Sequence, residues 1–227
     1  MQLYRKYRPR RLPQIVGQSA AVRKVRAVID RAGYDGGALW IGGKTGTGKT
    51  TLAQVIANEL SNRGLSPVER RAVADTRSWT YTEIDGDKCS VEVVRDLDGQ
   101  AQTGACPWAD TWRVWIVNEA QAMTGRAVQA WLTLLERLPS RWVVIFTSTV
   151  DQVDLFGDFA GPFSSRCVQI RLTNQGLATA FARLVHGIAR REGLNGHPRA
   201  RYEKLAKDLG NNCRAMLQAV ESGELLD

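Results

Sequence analysis

The stretch that most limits what this chain can fold into is residues 43–50, which read Gly-Lys-Thr-Gly-Thr-Gly-Lys-Thr. A glycine, four residues and then Gly-Lys-Thr is the spacing of a phosphate-binding P-loop. Because glycine has no Cβ atom, such a loop can gather its backbone N–H groups around a concentrated negative charge. The apolar run at residues 38–41 predicts the strand that leads into the loop. Residues 49–60 predict a helix whose positive dipole end faces the phosphates.

The side chains of this loop have separate predicted roles. Lys49 reaches the β- and γ-phosphates of a nucleotide, Thr50 is a ligand of Mg²⁺, and Thr51 lies near the α-phosphate. A chance glycine-rich turn is the alternative, but the strand before the loop and the helix after it disfavour that interpretation. The predicted nucleotide-binding residues of the loop are Gly43, Lys44, Thr45, Gly46, Thr47, Gly48, Lys49, Thr50 and Thr51.

Composition limits the class of protein. The chain has 227 residues, of which 44% are hydrophobic, enough for one large domain or for a medium domain with a small one. Its net charge of +8 favours an anionic partner such as nucleic acid or nucleotide, although a merely basic protein is the alternative. The four cysteines show no C-x-x-C spacing, so neither a zinc site nor a disulfide framework is predicted. No apolar run approaches the roughly 18 residues of a membrane span, and no signal peptide is apparent.

Residues 1–13 form a basic segment in which Tyr4 and Tyr7 alternate with arginine and lysine. Two functional interpretations are open, namely an arm that binds phosphate and a segment that folds over the nucleotide base. A frayed, solvated terminus is the third interpretation. Pro9 and Pro13 predict that the segment is not helical.

The pattern between residues 80 and 172 alternates strands with helices. Strands are predicted at residues 80–85, 113–119, 141–149 and 168–172, and helices at residues 91–102 and 125–138. With the strand before the P-loop, this gives four or five strands. Such alternation is typical of an α/β protein with a mostly parallel, doubly wound sheet.

Polar residues follow the strand at residues 113–119. In a P-loop α/β protein, the strand beside the loop usually ends in one acid that holds the water shell of the metal and another that polarises the attacking water. Here Asn118 stands at the position of the metal-associated acid, bound through water, and Glu119 at that of the catalytic base. The next strand ends in three hydroxyl residues, 147–149. One of them could contact the γ-phosphate or the water, with simple strand termination as the alternative.

The last part of the chain is predicted to be helical throughout. Residues 173–176 have the character of a hinge, and helices at residues 177–192, 199–209 and 211–222 predict a small three-helix lid. Arg214, at the start of the last helix, could swing over the nucleotide. The predicted organisation is therefore a P-loop domain at residues 1–172 followed by a helical lid domain at residues 173–227.

Several segments resemble, in order, the ATPase subunits of sliding-clamp loaders. Residues 3–9 with Val-Gly-Gln at 16–18 resemble the opening of that family, and Glu-Ile-Asp at 83–85 resembles the stretch before its acidic strand. Ser-Arg-Cys at residues 165–167 is its most specific signature. The family comprises bacterial DNA polymerase III gamma/tau subunits and replication factor C small subunits. The resemblance covers nearly the whole chain and implies an AAA+ ATPase with ATP and Mg²⁺ as cofactors.

The resemblance also implies roles for single residues. The segment beside the adenine would be formed by Tyr7, Arg8, Pro9 and Val16. Lys49 keeps its P-loop role, and Glu119 activates the attacking water. Ser148 is the match for the residue known as sensor 1, with Thr147 as the runner-up, and Arg214 matches sensor 2.

Two implied roles reach beyond one subunit. Arg166 would be an arginine finger that acts in trans on ATP bound by a neighbouring subunit, because an added positive charge stabilises phosphoryl transfer. An ordinary ion-paired arginine is the alternative. Lys88, Ser90 and Arg95 fall where the family tracks the DNA backbone, and a solvated helix face is the alternative for them.

The chain departs from the family at three points. Asn118 replaces an aspartate, and Gln121 stands where the family often has His or Asp. Since an amide brings no charge, the hypothesis is that the subunit hydrolyses ATP slowly or only when assembled, and that Asn118→Asp raises turnover. The absence of the zinc module of bacterial subunits favours a replication factor C-like, phage or minimal loader. The chain ends soon after the lid, so the helical collar domain that holds the pentamer together is expected to be absent.

The expected function is that of an ATP-driven DNA clamp loader subunit, an enzyme that places a sliding clamp on primer–template DNA during replication. Its expected partners are other loader subunits in a hetero- or homo-oligomer (a pentamer), the clamp and the DNA, with no membrane. The expected location is the cytoplasm, or the nucleus of a eukaryote. Two alternatives stay open: an ATP-binding assembly subunit with little turnover of its own, and another AAA+ DNA motor such as a branch-migration helicase.

Overall fold

The computed structural model describes residues 2–63, 81–102, 112–149, 159–194 and 197–224. Within these residues the strands are β1 (Gly36–Gly42), β2 (Thr82–Asp85), β3 (Arg113–Asn118), β4 (Trp142–Ser148) and β5 (Cys167–Arg171). The helices are α1 (Leu3–Lys6), α2 (Ser19–Ile29), α3 (Lys49–Ser61), α4 (Val91–Gln102), α5 (Gly125–Leu135), α6 (Ala160–Arg166), α7 (Ala178–Arg191), α8 (Arg199–Asp208) and α9 (Cys213–Glu221). Short 3-10 turns occur at Leu12–Gln14, Gly86–Lys88 and Ala120–Ala122.

The strands form one parallel sheet in the order β2-β3-β4-β1-β5. The chain leaves β1 for the far edge, returns strand by strand to β4, and then passes β1 to reach β5. Crossover helices therefore lie on both faces, and the predicted doubly wound parallel sheet is confirmed. In such sheets ligands bind at the carboxyl ends of the strands, and the P-loop directly follows that end of β1.

Two apolar clusters cover the two faces of the sheet. Every residue of β4 is buried, as expected for a central parallel strand with helices on both sides. Alternate side chains of β1 divide between the clusters. Trp40 packs with Phe146 and with residues of α4, α5 and α6, whereas Leu39 and Ile41 pack with α2 and α3. This alternation fixes which polar side chains at the strand ends face the P-loop helix.

A third apolar cluster joins the last three helices to the N-terminus. It includes Phe181 of α7, Tyr202 of α8 and Met216 of α9, together with Leu3 of α1. The backbone N–H of Leu3 donates to Glu221 Oε2 at 3.3 Å. The N-terminal segment is therefore anchored rather than frayed. The expectation of a non-helical segment is wrong for α1, which ends before Pro9, and for the turn at Leu12–Gln14, because proline is tolerated in the first turn of a helix.

The structure also differs from the prediction at two places in the middle of the chain, an additional helix and an earlier helix end. No helix was predicted at Ala160–Arg166, a segment of seven residues that is too short for a periodic signal. It forms α6 because Phe163 packs into the aromatic core beside Trp40, at 5.7 Å between ring centroids. Helix α5 ends at Leu135 rather than at residue 138. The predicted positions 80, 106 and 225–227 lie outside the described residues.

Two further expectations concern membranes and thiols. None of the helices in the described ranges has the length and apolar character needed to cross a membrane. Cys89, Cys167 and Cys213 are free thiols, as their scattered spacing in the sequence predicts.

Candidate nucleotide-binding site

The P-loop joins the end of β1 to the start of α3. Gly46 and Gly48 have left-handed φ values of 82° and 99°, which glycine adopts without steric cost. Since α3 begins at Lys49, the N-terminus of a 13-residue helix opens onto the loop. Gly46 is constrained a second time, because a Cβ atom there would lie 2.4 Å from Cγ of Asn212. The loop has the shape of a phosphate cradle.

Lys49 is a buried cation at the centre of this cradle. Its side chain is only 6% exposed, and Nζ donates to the carbonyl oxygen of Lys44 at 3.4 Å. Burial lowers the pKa of Lys49, an effect that the nearby carboxylate of Glu119 opposes. A cation with so little compensating negative charge is suited to a polyphosphate ligand.

A cavity of about 280 Å³ opens above the P-loop, between the N-terminal segment and helices α7 and α9. Its size and mixed polar and apolar lining suit a small ligand. The predicted site residues that line it are Tyr7, Arg8, Pro9, Val16, Thr45, Gly46, Thr47, Gly48, Lys49, Thr50, Thr51, Glu119 and Arg214. Gly43, Lys44, Asn118 and Ser148 lie outside its walls.

The N-terminal segment crosses one side of the cavity and is bonded to two other parts of the fold. Arg8 Nε donates to Thr51 Oγ1 at 3.2 Å, which ties the segment to α3. The hydroxyl of Tyr7 donates to Glu192, the residue that follows α7, and Lys6 Nζ pairs with Glu192 Oε1 at 2.6 Å. The hydrogen bonds from Lys6 and Tyr7 lower the pKa of Glu192. The segment thus links the P-loop helix to the last three helices.

Helix α9 brings two polar residues to the opposite side of the cavity. Arg214 is exposed, and its guanidinium carbon lies 5.5 Å from the centroid of the Tyr4 ring, a cation–π contact. Asn212 caps α9, since its side chain accepts from Ala215 N at 3.2 Å. Asn212 also fills the space beside Gly46 and so joins α9 to the P-loop. The sequence predicts no role in the site for Asn212, whose only local signal is its N-cap position.

Oxygen atoms converge where β3 ends beside α3. Thr50 Oγ1 donates to Asn118 Oδ1 at 3.2 Å, and Thr147 Oγ1 donates to the same oxygen at 3.4 Å. Asn118 Nδ2 in turn donates to Glu83 Oε2 at 3.0 Å. A hydroxyl and an amide oxygen with a carboxylate behind them are a donor set that fits a hydrated Mg²⁺. No group of three or more His, Cys, Asp or Glu side chains converges among the described residues, so phosphate oxygens and water would complete the coordination.

Glu119 lies at the rim of the cavity, directly after β3. Its φ of 50° is left-handed, which is uncommon for a residue with a side chain. Its N–H donates to Thr147 Oγ1 at 3.2 Å. Its carboxylate accepts a hydrogen bond from Gln121 Nε2, which also donates to Thr149 Oγ1 at 3.0 Å. The unusual Gln121 is therefore a direct partner of the predicted catalytic base.

The structure distinguishes the two candidates for a phosphate-sensing residue at the end of β4. The hydroxyl of Thr147 contacts both Asn118 and Glu119. Along β4, Ile145 packs with α2 and α3, so by alternation Thr147 shares that face and Ser148 points to the other. Thr147, the runner-up, is the residue whose hydroxyl the structure brings to Asn118 and Glu119, whereas Ser148 contacts the P-loop through its carbonyl oxygen, which accepts from Gly43 N at 3.2 Å.

Arg166 is not brought to the cavity of its own chain. It ends α6, and the next residue, Cys167, pairs with Ala38 in the first half of β1, whereas the P-loop follows the last residue of that strand. Arg166 Nη1 donates to the carbonyl oxygen of Pro162 at 2.8 Å, and Nη2 pairs with the carboxylate of Glu136. Any contact of Arg166 with a nucleotide would therefore involve another subunit.

The three residues predicted to contact DNA lie around the start of α4. Lys88 and Arg95 are exposed, and Lys88 Nζ pairs with Asp85 Oδ2 at 3.3 Å. Ser90 Oγ accepts from Val93 N at 3.4 Å, as a helix-capping hydroxyl does. The solvated-face interpretation fits these contacts too, so the DNA role stays a prediction.

Gln18 is a second residue without a predicted role in the site, although it belongs to the Val-Gly-Gln motif at 16–18. Its side chain is 3% exposed. Nε2 donates to the carbonyl oxygen of Thr173 at 2.9 Å, and Thr173 N donates back to Oε1 at 3.0 Å. Nε2 also lies 3.4 Å from the carbonyl oxygen of Thr47. One buried amide thus ties the P-loop to the segment that leads into α7.

We expect Gln18→Ala to lower the free energy of unfolding by about 1–3 kcal/mol, because it leaves buried backbone groups without partners. Chemical denaturation followed by circular dichroism measures this change. Gln129→Ala, which removes the same side chain from an exposed position of α5, is the matched control and should change stability by less than about 0.5 kcal/mol. Equal stability of the two variants would show that the Gln18 contacts are unimportant.

Comparisons with known proteins relate this chain to two groups. No family model matches it. The DNA polymerase III subunits gamma/tau of Mycobacterium bovis and of two Mycobacterium tuberculosis strains are each 29% identical to it over 161 residues, covering 66% of this chain and 27% of theirs. The chain therefore spans about a quarter of the length of the curated relatives it matches.

Solved structures of Thermotoga maritima RuvB resemble the whole described fold. One RuvB variant superimposes with a TM-score of 0.70 at 16% identity, covering 95% of this chain and 64% of that one. The structure described as the RuvB Holliday junction branch migration motor gives a TM-score of 0.65 at 17% identity, with coverage of 95% and 64%. At this level of identity the likeness establishes the fold alone.

Proposed function

We propose that this chain is an AAA+ ATPase of the clamp-loader-like kind, as its relation to the gamma/tau subunits and its RuvB-like fold support, and that it binds and hydrolyses ATP with Mg²⁺ in the cavity above the P-loop. We further propose that this cycle drives the placement of a sliding clamp on primer–template DNA during replication. The single observation that carries the ATPase proposal is the convergence of Lys49, Thr50 and Glu119 on one cavity. The relation to the gamma/tau subunits supports the clamp-loading proposal.

Each residue of the site has a proposed task. Lys49 neutralises the β- and γ-phosphates, and the backbone N–H groups of residues 43–49 hold them in place. Glu119 accepts the proton of the attacking water once Gln121 releases its carboxylate. Thr147 senses the γ-phosphate, a role that its contacts with Glu119 support better than the position of Ser148 does. Thr50, and Asn118 through water, would hold the Mg²⁺, which would supply positive charge against the phosphates.

The remaining walls of the cavity would hold the base and report on the nucleotide. Tyr7, Arg8, Pro9 and Val16 lie beside the adenine, and Arg214 turns from Tyr4 toward the phosphates when ATP is bound. We propose that residues 173–227 form a separate lid domain, because α7, α8 and α9 share an apolar cluster that contains no described residue of the sheet. Contacts of that lid with the N-terminal segment would couple its position to nucleotide occupancy.

Assembly supplies the last catalytic group in this proposal. Arg166 acts in trans on a nucleotide in a neighbouring subunit, which agrees with its distance in the sheet from its own P-loop. The partners are other loader subunits in a pentamer, the clamp, and DNA that passes Lys88, Ser90 and Arg95. Phosphate contacts of this kind position a protein without reading sequence. We place the protein in the cytoplasm with the replication machinery.

Steady-state ATP hydrolysis with and without primed DNA tests the central proposal. We expect turnover that depends on Lys49 and rises with primed DNA and with protein concentration, since assembly brings Arg166 to a neighbour. Lys49→Ala defines the background. Binding of ATP without turnover above that background would contradict hydrolysis and favour the assembly-subunit alternative. The uncharged side chain of Asn118 supports that alternative.

A mixing experiment tests the role of Arg166 in trans. We expect Arg166→Ala to lower turnover by about 10³-fold, within the range known for arginine fingers. A mixture of Arg166→Ala and Lys49→Ala should regain measurable turnover, because one variant keeps a working P-loop and the other a working finger. Arg137→Ala is the matched control, because Arg137 lies just after α5 and is also ion-paired with a carboxylate, that of Asp98. A mixture as inactive as its components would contradict action in trans.

The second candidate function is that of a DNA motor, which the fold of RuvB favours. A motor of that kind would hydrolyse ATP continuously on branched DNA and would need no clamp. Comparing turnover on primed and on four-way junction DNA, each with and without a clamp, separates the two. Stimulation by the junction alone would favour the motor.

A further inference from the structure

Asn118 lies between the P-loop helix and a carboxylate on the neighbouring strand. Its Oδ1 accepts from Thr50 and Thr147, and its Nδ2 donates to Glu83 Oε2 at 3.0 Å. This orientation is enforced, because an ionised carboxylate only accepts hydrogen bonds and would repel an amide oxygen turned toward it. The amide therefore presents its oxygen to the metal side of the site and transmits the charge of Glu83 from behind.

Glu83 is itself held in place. Its second carboxylate oxygen accepts from Nε2 of Gln54, which lies one helical turn after Thr50 on α3. Strand β2 is parallel to β3, with Glu83 opposite Ile116, so the side chain of Glu83 extends along β2 toward Asn118. Glu83 is exposed to solvent, so its carboxylate stays hydrated. Two donors from two elements fix one negative charge beside the end of β3.

Within the described residues, the hydrogen-bond partner of the Thr50 hydroxyl is an amide oxygen rather than a carboxylate. Mg²⁺ in nucleotide sites is usually held through one or two carboxylates together with phosphates and water. Asn118 supplies none, and the carboxylate of Glu119 is bonded to Gln121. Glu83 is the carboxylate that contacts Asn118 directly.

We propose that Glu83 on β2 supplies across Asn118 the negative charge that Asn118 lacks at this magnesium site. The inference rests on the proposed binding of Mg²⁺ with nucleotide at the P-loop. Glu83 acts as a positioning residue: it orients the amide of Asn118 and sets the charge felt by the hydrated metal. Mutation of a residue that hydrogen-bonds a metal ligand typically lowers metal affinity by about 10–100-fold.

The proposal reverses the expectation for Asn118→Asp. On the sequence alone, an aspartate at this position restores a missing charge and raises turnover. Beside Glu83, it places two carboxylates in contact, and like charges at that distance oppose each other. We therefore expect Asn118→Asp alone to increase neither metal affinity nor turnover. An increase is expected only when Glu83→Gln removes the competing charge.

A charge-exchange series on the full chain tests this inference. Binding of Mn²⁺, as a probe of the magnesium site, is measured by electron paramagnetic resonance with ADP present. We expect Glu83→Gln to weaken Mn²⁺ binding by about 10–100-fold and the double variant Glu83→Gln with Asn118→Asp to restore most of it. Glu203→Gln, which removes one carboxylate from an ion pair with Arg199 on α8, is the matched control and should bind Mn²⁺ as the unmodified chain does.

Thermal unfolding without metal or nucleotide provides a second readout. Asn118→Asp should lower the midpoint by about 2–4 °C, the shift for about 1 kcal/mol in a chain of this size. The same substitution in the Glu83→Gln background should lower it less, since no like charge then faces it. This comparison does not depend on catalysis or on metal binding.

Each outcome decides the inference. Unchanged Mn²⁺ affinity in Glu83→Gln would overturn it, as would a loss that Asn118→Asp fails to rescue, because Glu83 would then act through shape rather than charge. Tighter Mn²⁺ binding in Asn118→Asp with Glu83 intact would overturn the inference too. If the unmodified chain bound ADP without nucleotide-dependent Mn²⁺, the metal part of the proposed function would fail together with this inference. If it bound neither, the P-loop proposal itself would fail.

Discussion

Lys49→Ala is expected to lower ATP affinity by about 100-fold or more and to remove hydrolysis. Lys49 is the buried cation of the P-loop, and preorganised groups aimed at phosphate charge typically contribute effects of this size. Fluorescence titration with a labelled ATP analogue measures the affinity, and phosphate release measures turnover. Retention of tight ATP binding would contradict the assignment of the phosphates to this loop.

Removing the charge of Lys49 should leave the nucleotide-free protein no less stable. Burial lowers the pKa of Lys49, which means that the positive charge is less favourable in the folded protein than in the unfolded chain. At neutral pH this charge therefore opposes folding. That opposition is relieved only as the pH rises through the lowered pKa. Lys49→Met, which keeps the aliphatic stem, should therefore melt at the same temperature as the unmodified chain or higher when nucleotide is absent. A clearly lower midpoint would show that the charge of Lys49 stabilises the empty site.

Lys44 is the matched control within the same loop. It is exposed, and its contribution is its backbone, whose carbonyl oxygen accepts hydrogen bonds from Thr47 and Lys49. Lys44→Ala keeps that carbonyl and should reduce ATP affinity only a few-fold. Equal losses from Lys44→Ala and Lys49→Ala would mean that the loop attracts ATP by net charge rather than through a specific lysine.

Gly86→Ala is expected to lower both stability and turnover. A Cβ atom at Gly86 would lie 2.3 Å from the carbonyl oxygen of Glu119 and 3.1 Å from that of Asn118. These are backbone atoms and cannot rotate away, so β2 and the end of β3 must separate. We expect a loss of about 1–3 kcal/mol in the free energy of unfolding and at least a tenfold loss of turnover, since small displacements of catalytic groups are costly.

Gly99→Ala provides the contrast for Gly86→Ala. Gly99 is an exposed residue of α4, and a Cβ atom there would meet no atom within 4 Å. Because alanine has a higher helix propensity than glycine, this variant should be more stable by about 0.5–1 kcal/mol in the free energy of unfolding. Denaturation curves and ATPase rates on both variants make the comparison. A Gly86→Ala protein with unchanged stability and rate would contradict the close packing at Glu119.

The fold was largely predictable because its signals are local. The glycine spacing of residues 43–50 predicts the phosphate loop, and the buried runs at β3 and β4 predict a sheet covered on both faces. The three last helices were predicted to within two residues at each described end. Helix α6 was missed because its formation depends on the packing of Phe163 into a core assembled from distant segments.

The chemistry of the site was predictable only in part. Lys49, Thr50 and Glu119 follow from their spacing relative to the loop and to a strand end. The choice between Thr147 and Ser148 needed the alternation of β4 relative to α3. The reason for glycine at position 86 appears only when the backbone of Glu119 is seen beside it.

The sequence by itself determined the P-loop, the class of the sheet and the helical character of the C-terminal part, because glycine conformation and hydrophobic period act over a few residues. Tertiary structure alone decided the partners of the buried and charged side chains. Glu83 and Asn118 are 35 positions apart, and Gln18 and Thr173 are 155 apart. Contacts at such separations depend on strand order and register, and no local pattern encodes them.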